Sequence, residues 1–319
     1  MSIRILGTGS ALPENIITND DLAKIVDTSD EWIRERTGIC ERHVAKKEST
    51  VSLAAEAARK ALENAGVTAD SVELIIVATA TPDNYFPCTA CEVQGIINAK
   101  NATAFDLSAA CTGFLFALNT AQAYIKSGIY KNALIIGADV LSKVVDWSDR
   151  TTCVLFGDGA GAVYIEAADS DINIVQGADG ARGSVLSCVN RRSNYPFDNS
   201  QEAKQYMYMD GQEVYKFAVR QVPQCINEVL NKSGVNKDEV KYFVLHQANI
   251  RIIESVAKRL DVSMDKFPTN LSKVGNISAA SIPILLDMLN RENKLCRGDK
   301  LVLSGFGAGL TYGAAIIEW

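Results

Sequence analysis

The sequence predicts an α/β fold built from a duplicated unit around a central, buried sheet, and three observations carry that prediction. Helix-like stretches alternate with β-branched apolar runs: Ser52 to Ala65 leads into Val72 to Ala78, and Val214 to Ser233 leads into Val240 to Leu245. The runs are continuously apolar rather than alternating, so the sheet they form needs cover on both faces. Sliding the chain on itself by 168 residues lays Ala61 to Ala80 over Val229 to Ala248. Leu62, Gly66, Val67, Asp70, Val72 and Ala80 then meet Leu230, Gly234, Val235, Asp238, Val240 and Ala248, as expected of two copies of one unit.

Taken in order, MSIRILGTGSALPEN reads as a short strand and a loop, without the charged start, apolar stretch and cleavage site of a signal peptide. No apolar run approaches the roughly 18 residues that span a bilayer, so a soluble, cytoplasmic protein without a membrane partner is expected. The segment AFDLSAACTGFLFALNTAQAYIKSG begins as a strand, turns through small residues and becomes a helix from about Cys111 to Ser127, ended by Gly128. Its first turns are apolar on every side, the pattern of a helix buried in the centre of a protein. The strand around Ala133 to Gly137 falls over Leu301 to Gly305 at the same shift of 168. GDGAGAVYIE from Gly157 reads against GFGAGLTYGAAIIE from Gly305 at a shift of 148, which gives the first half about 20 extra residues. These are assigned to residues 140–156, an insertion that contains Trp147 and Arg150 and is expected to sit over a site. No Pro-rich or Gly/Ser-rich linker divides the chain, so residues 1–170 and 171–319 read as two closely joined halves.

Composition narrows the chemistry. With 32 basic against 38 acidic residues and a net charge of -6, the chain lacks the positive surface that nucleic acid demands. Two histidines, His43 and His246, cannot build a multi-histidine metal site, so no metal is expected. The eight cysteines are scattered through helix-like and strand-like segments and read as reduced thiols. Cys88-x-x-Cys91 has no second ligand pair and reads as packed thiols at a helix start; His43 reads as structural.

Cys111 stands apart from the other cysteines because it lies where a strand turns into a buried helix. Free N–H groups and the positive end of the helix dipole there are expected to lower its thiol pKa and arm it as a nucleophile, whereas a cysteine elsewhere is commonly just a small core residue. At the 168 shift Cys111 meets Ala279 and Ser108 meets Asn276, so VGNISAAS opens the second half's own central helix with Asn276 near its start. His246 follows the strand Tyr242 to Leu245 at its carboxyl end, where α/β proteins bind ligands. Cysteine, histidine and asparagine suit a thiol hydrolase as well as an acyl transferase. GTGSAL and GFGAGL lack the spacing of a dinucleotide fingerprint.

Seven motifs are spread along nearly the whole chain: ILGTGSALPE, DTSDEWIRERTGICERH, DLSAACTGF, FGDGAGA, LHQANIRI, GNISAAS and GFGAGLTYG. Through them, and through the duplication, the sequence resembles the thiolase-like condensing enzymes, in particular the β-ketoacyl-[acyl-carrier-protein] synthase III family. The resemblance implies a thiolase fold, a five-layered α-β-α-β-α arrangement with two buried central helices, in a homodimer. It implies initiation of type II fatty acid synthesis from a short acyl-CoA and malonyl-[acyl-carrier-protein], with no cofactor. Cys111 would carry the acyl group, while His246 and Asn276 would hydrogen-bond the malonyl thioester oxygen. The backbone N–H groups of Cys111 and of the Gly307-Ala308 turn would form the oxyanion hole.

For CoA the resemblance implies Thr28, Trp32, Arg36 and Arg150, with Trp32 and Arg150 sandwiching the adenine, and Asn249 near the pantetheine arm. Phe86 would shape the partner's acyl pocket across the dimer. Arg251, Lys258 and Arg259 share one face of the helix after His246 and, with Lys216, would dock the acidic carrier protein. Two positions depart from the family pattern: Ala308 stands where a third glycine is usual, and Ile277 replaces a threonine. Two further readings stay open, a secondary-metabolism acyltransferase or ketide synthase of the same fold and a non-catalytic binding homologue.

Overall fold

The computed structural model describes residues 2–169, 172–189 and 206–319. Two sheets form its centre. The first runs in the order Ser2–Ala11, Asp158–Ala168, Asn132–Val140, Leu74–Ala78, Thr103–Leu107, and the second in the order Asn173–Ala178, Thr311–Glu318, Lys300–Gly307, Val240–Leu245. Read from the same edge, the two orders are one topology used twice, the earliest strand of each sheet pairing with the last in the chain. The division between residues 170 and 171 lies outside the described residues.

Between the sheets lie the helices Gly113–Lys126 and Ser281–Arg291. Phe114, Leu118, Leu285 and Leu289 from these helices pack with Ile76 and Ile135 of one sheet and Leu303 and Ile317 of the other, all fully buried. Such an interior needs apolar residues on every side of a helix, which is the pattern both segments carry. Helices Thr50–Ala65 and Thr89–Ile97 cover the outer face of the first sheet, and Gly211–Ser233 and Ile250–Leu260 the outer face of the second. The result is the five-layered thiolase arrangement.

Close approach explains the glycines of the first strand. A Cβ on Gly7 would stand 2.3 Å from the Ala61 carbonyl oxygen, and one on Gly9 2.3 Å from that of Ala57. They bring strand and helix together and cradle no phosphate.

The 168 shift holds through the centre of the molecule. The 3-10 turns Ala110–Thr112 and Ser278–Ala280, the helices that follow them, and the strands starting at Asn132 and Lys300 all obey it. Even a strained backbone angle repeats: Ala110 has φ +46° and Ser278 +45°.

The second proposed register does not hold. Gly137 pairs with Gly161 in the first sheet and Gly305 with Gly313 in the second, so GAVYIE from Gly161 lies over GAAIIE from Gly313 at a shift of 152 rather than 148. Two glycine-rich strings offered competing alignments, and the sheet's own hydrogen bonds choose between them. The extra segment spans residues 141–157 in the first half against 308–310 in the second.

A further asymmetry bears on the site. Thr103–Leu107, shifted by 168, falls on Leu271 to Gly275, which is a helical turn rather than a strand. The second sheet therefore ends at Val240–Leu245, and the chain beyond its edge is free to carry Asn276 inward. No helix among the described residues is long and apolar enough to cross a membrane.

Candidate active site

Cys111 sits in the turn Ala110–Thr112, just before the central helix begins at Gly113. The turn is packed from both halves. A Cβ on Gly113 would stand 2.9 Å from the Ala78 Cβ, and one on Gly307 would stand 2.7 Å from the Cys111 amide nitrogen. The thiol opens onto a cavity of about 1300 Å³ whose walls also include His246, Asn276, Ser278, Gly307 and Ala308. That exceeds the roughly 300–1,000 Å³ of ordinary small-ligand pockets and leaves room for a long thioester.

The thiol does not have the lowered pKa expected of it. Burial pushes Cys111 up to about 12, the Asp139 carboxylate pushes the same way, and a hydrogen bond from Ser278 opposes them. The regular helix starts two residues after Cys111, and desolvation of the buried sulfur outweighs its dipole. The resting nucleophile is a thiol.

His246 follows the strand Val240–Leu245, and its N–H donates to the Ser304 carbonyl at 2.8 Å. Its ring meets Phe306 edge-on, with centroids 5.6 Å apart. Nδ1 is buried without a hydrogen-bond partner, and the residue lines the cavity beside Cys111. Burial lowers the ring pKa to about 3, so the imidazole is neutral and suited to donate a hydrogen bond rather than supply a positive charge.

Asn276 is clamped by the end of the inserted segment. Its N–H donates to the Leu155 carbonyl at 2.9 Å, and its carbonyl accepts from Gly157 N–H at 2.9 Å. Its Oδ1 accepts from Ser278 N–H at 2.9 Å, which leaves the Nδ2 amide as the group available to a substrate. The insertion thus fixes Asn276 as well as contributing Arg150 to the cavity wall.

Trp32 and Arg36 lie on the helix Asp30–Thr37 at the cavity mouth. The guanidinium of Arg36 is 5.1 Å from the Trp32 ring centroid and that of Arg150 is 5.4 Å from it. Arg150 also donates to the Asp27 carbonyl at 2.9 Å. The expected sandwich is therefore closed: a flat ring enters between Trp32 and Arg150 only if Arg150 leaves Asp27. Thr28 is off the cavity wall, yet its Oγ1 is buried and unpartnered.

Asn249 lines the cavity and is also engaged within the chain. Its Oδ1 caps the helix Ile250–Leu260 by accepting from Arg251 N–H at 2.9 Å, and its Nδ2 donates to the Arg36 carbonyl at 3.0 Å. An asparagine before a helix is drawn into capping by the orphan N–H groups there.

The basic residues divide into two groups. Lys216 and Arg251 line the cavity, whereas Lys258 and Arg259 lie farther along the same helix face, exposed and off the cavity. Lys216 pairs with Glu213 at 2.8 Å, so its charge is partly answered within the chain. Arg251, Lys258 and Arg259 make no ion pair among the described residues.

Phe86 does not reach the cavity of its own chain and is 86% exposed. Cys88 caps the helix Thr89–Ile97 and lines the cavity, while Cys91 is exposed rather than packed. His43 Nδ1 lies 2.6 Å from the Pro13 carbonyl oxygen, a structural contact. No group of three or more His, Cys, Asp or Glu side chains able to hold a metal occurs among the described residues.

Two polar residues beside Cys111 escaped the sequence reading, Ser278 and Asp139. The signal for them was present in the repeat: at a shift of 168 Ser278 meets Ala110 and Asp139 meets Gly307, so each is a polar side chain where the other half has almost none.

Comparison with known proteins agrees with this geometry. The family model of the 3-oxoacyl-[acyl-carrier-protein] synthase III matches residues 105–187, and that of its C terminal matches residues 230–319. A β-ketoacyl-[acyl-carrier-protein] synthase III of Clostridium acetobutylicum is 51% identical over 321 residues, covering 100% of this chain and 99% of that protein. The crystal structure of the Aquifex aeolicus 3-oxoacyl-[acyl-carrier-protein] synthase III superposes with a TM-score of 0.93 at 47% identity, over 99% of this chain and 100% of that one. The priming β-ketosynthase of the R1128 polyketide pathway superposes with a TM-score of 0.94 at 34% identity, over 99% of this chain and 96% of that one. With its full length shared at such identity, and its nucleophile turn and central helices in the family's arrangement, this chain belongs to the β-ketoacyl-[acyl-carrier-protein] synthase III family.

Proposed function

We propose that this chain is the condensing enzyme that initiates type II fatty acid synthesis, with Cys111 as the acyl carrier. The observation that carries the reading is the meeting of the Cys111 thiol, a neutral His246 and the Asn276 amide on one large cavity. In the loading step sulfur attacks the carbonyl of a short acyl-CoA, the thiol proton leaves with coenzyme A, and an acyl-cysteine remains. Backbone N–H groups of Cys111 and of the Gly307-Ala308 turn hold the tetrahedral oxyanion.

In the second step malonyl on acyl carrier protein loses carbon dioxide, and the electron pair of the broken C–C bond becomes an enolate. His246 Nε2 and Asn276 Nδ2 donate to the enolate oxygen, where charge develops most. The enolate carbon then attacks the acyl-cysteine carbonyl, and Cys111 leaves as the 3-ketoacyl product forms on the carrier. The sequence of steps calls for no cofactor.

CoA enters along Trp32, Arg36 and Arg150, with Arg150 exchanging Asp27 for the ligand, Thr28 next to that exchange in the chain, and Asn249 near the pantetheine arm. The carrier docks on Arg251, Lys258 and Arg259, with Lys216 as a supporting neighbour. Phe86 enters the acyl pocket of a second copy in a cytoplasmic homodimer; covering a phenyl ring that is 86% exposed contributes about 1.5–3 kcal/mol.

A second reading, priming of a polyketide pathway, is favoured by the 34% identity to the R1128 enzyme. Incubation with acetyl-CoA followed by intact mass measurement tests enzyme status. One acetyl adduct is expected, absent in Cys111→Ser; no adduct on the unaltered protein would leave only a non-catalytic binding homologue. Turnover of the loaded enzyme with malonyl on fatty-acid or on polyketide carrier protein then separates the two pathways.

A further inference from the structure

The nucleophile turn and the Gly307-Ala308 turn come from opposite halves of the chain, and no backbone–backbone hydrogen bond joins them among the described residues. Two threonine side chains do. Thr112, the residue after the nucleophile, and Thr311, at the start of the last strand, place their hydroxyl oxygens in direct hydrogen-bond contact across 199 positions of sequence. Thr112 Oγ1 also lies 2.9 Å from the Ala109 carbonyl oxygen. Thr311 Oγ1 lies 3.2 Å from that same carbonyl and 3.1 Å from the carbonyl of Ala308. Thr112 is fully buried, and Thr311 forms part of the cavity wall.

The two hydroxyls have one proton each, and one of those protons bridges them. If Thr311 supplies the bridge, Thr112 donates to Ala109. If Thr112 supplies it, Thr311 donates to Ala308 or Ala109. Either way Thr311, in the second half, is tied to the nucleophile turn of the first.

The turns can be built without this pair. At the 168 shift Thr112 corresponds to Ala280, and in the register of the paired strands, a shift of 152, Thr311 corresponds to Gly159. The turn before Ala280 has the same backbone, Ser278 having φ +45° where Ala110 has +46°. It also packs as closely on the opposite sheet, since a Cβ on Gly137 would stand 2.3 Å from the Ala279 carbonyl oxygen. Yet it has a hydroxyl at neither place. The threonines therefore occur only on the side of the pseudo-twofold arrangement that holds the nucleophile.

We propose that Thr311, together with Thr112, is a positioning residue for the oxyanion hole. The carbonyls the pair touches belong to Ala308, whose N–H is one oxyanion donor, and to Ala109, two residues before Cys111, whose N–H is the other. Two donors from separate halves of a chain serve one oxygen only if their spacing is held to within about 0.5 Å. The hydroxyl pair sets that spacing. The inference rests on the reading of Cys111 as acyl carrier and of these amides as the oxyanion donors.

The test compares two reactions of the same sulfur. Acetyl transfer from acetyl-CoA passes through a tetrahedral oxyanion, whereas iodoacetamide is attacked at a saturated carbon, loses iodide and forms no oxyanion. Both are followed by mass spectrometry of the peptide that contains Cys111. Thr311→Val removes the hydroxyl and keeps the branched shape that suits a strand. It is expected to slow acetyl loading at saturating acetyl-CoA about tenfold, a part of the roughly 10²–10³-fold loss that follows removal of a whole oxyanion donor. The half-saturating acetyl-CoA concentration and the alkylation rate should not change. Thr311→Ser, which keeps the hydroxyl, should load at the wild-type rate. Thr112→Val should reproduce the loss, and the double valine variant should be no slower than either single one, because each breaks the same link.

Wild-type loading in Thr311→Val, a parallel fall in its alkylation, a Thr311→Ser variant as slow as Thr311→Val, or additive losses in the double variant would each overturn the proposal. Should Thr112→Val fail to fold, the two Thr311 variants decide alone. The two readings fail separately: an unaltered protein that takes up no acetyl group refutes the acyl-carrier reading, and wild-type loading in Thr311→Val refutes only the positioning role.

Discussion

Gly307, from the second half of the chain, lies so close to Cys111, from the first, that a Cβ on the glycine would stand 2.7 Å from the Cys111 nitrogen and 3.0 Å from its Cβ. The contact is backbone to backbone. So close an approach is what the proposed oxyanion hole, with N–H groups from both halves, requires.

Gly307→Ala is therefore expected to push the nucleophile turn away from the strand Lys300–Gly307. Acyl loading should fall by about 10²-fold or more, the effect of removing one oxyanion donor, with a stability loss of about 1–3 kcal/mol from overpacking. The rate of acetyl-adduct formation and a urea melt measure the two. Loading at the wild-type rate would contradict the close packing.

His246→Ala and Asn276→Ala should separate the half-reactions. Both residues line the cavity beside Cys111. Malonyl decarboxylation is expected to drop by about 10²–10³-fold, while an acetyl group still appears on Cys111. Equal loss of both steps in either variant would assign that residue to thiol activation instead.

The state of His246 gives a pH prediction with a definite sign. Burial lowers its folded-state pKa from 6.5 to about 3, so the unfolded chain takes up a proton near 6.5 that the native protein refuses. Its contribution to stability is intact above pH 6.5 and is lost as pH falls, by up to about 1.4 kcal/mol per pH unit. With only two histidines in the chain, the ring resonances can be followed singly by NMR. The His246 signal should stay flat from about pH 8 to about pH 5, outside its ordinary titration range; a midpoint near the ordinary value would refute a neutral donor.

The split among the basic residues sharpens the carrier-protein experiment. Arg251 lines the cavity and so stands in the way of both substrates, whereas Lys258 and Arg259 lie off it. Reversing the latter two, Lys258→Glu with Arg259→Glu, should slow the malonyl-carrier step about tenfold at low salt, with the difference shrinking as salt rises. Acetyl loading should be unchanged. Parallel loss of loading would place these charges in CoA binding.

How much of the site was legible depended on whether a residue's role was local or shared. The strand-turn-helix around Cys111 and the strand end before His246 are written in consecutive residues, because helix and strand periodicities are local properties of the chain. Asn276 was found through the 168 shift, which places it at the opening of the second central helix. The capping role of Asn249 was legible in principle, since an asparagine followed by a helical run is a common helix start. The contact of Arg150 with Asp27 was not, because it joins positions far apart in the chain. The competing register at Gly305 failed for a related reason: repeated glycines match in more than one way, and only strand pairing distinguishes them.

The sequence by itself determined that the chain is one α/β unit used twice and which family it joins, and it singled out Cys111, His246 and Asn276, which the fold brings to one cavity. These follow from periodicity, repetition and motif, all of which survive without coordinates. Tertiary structure alone decided the ionisation of the site. The dipole argument for an activated thiol was sound for an isolated turn, but burial of Cys111 outweighs it, and burial likewise keeps His246 neutral. Electrostatic energy depends on what surrounds a charge in space, and Asp139 and Ser278 come beside Cys111 only when the two halves close on each other.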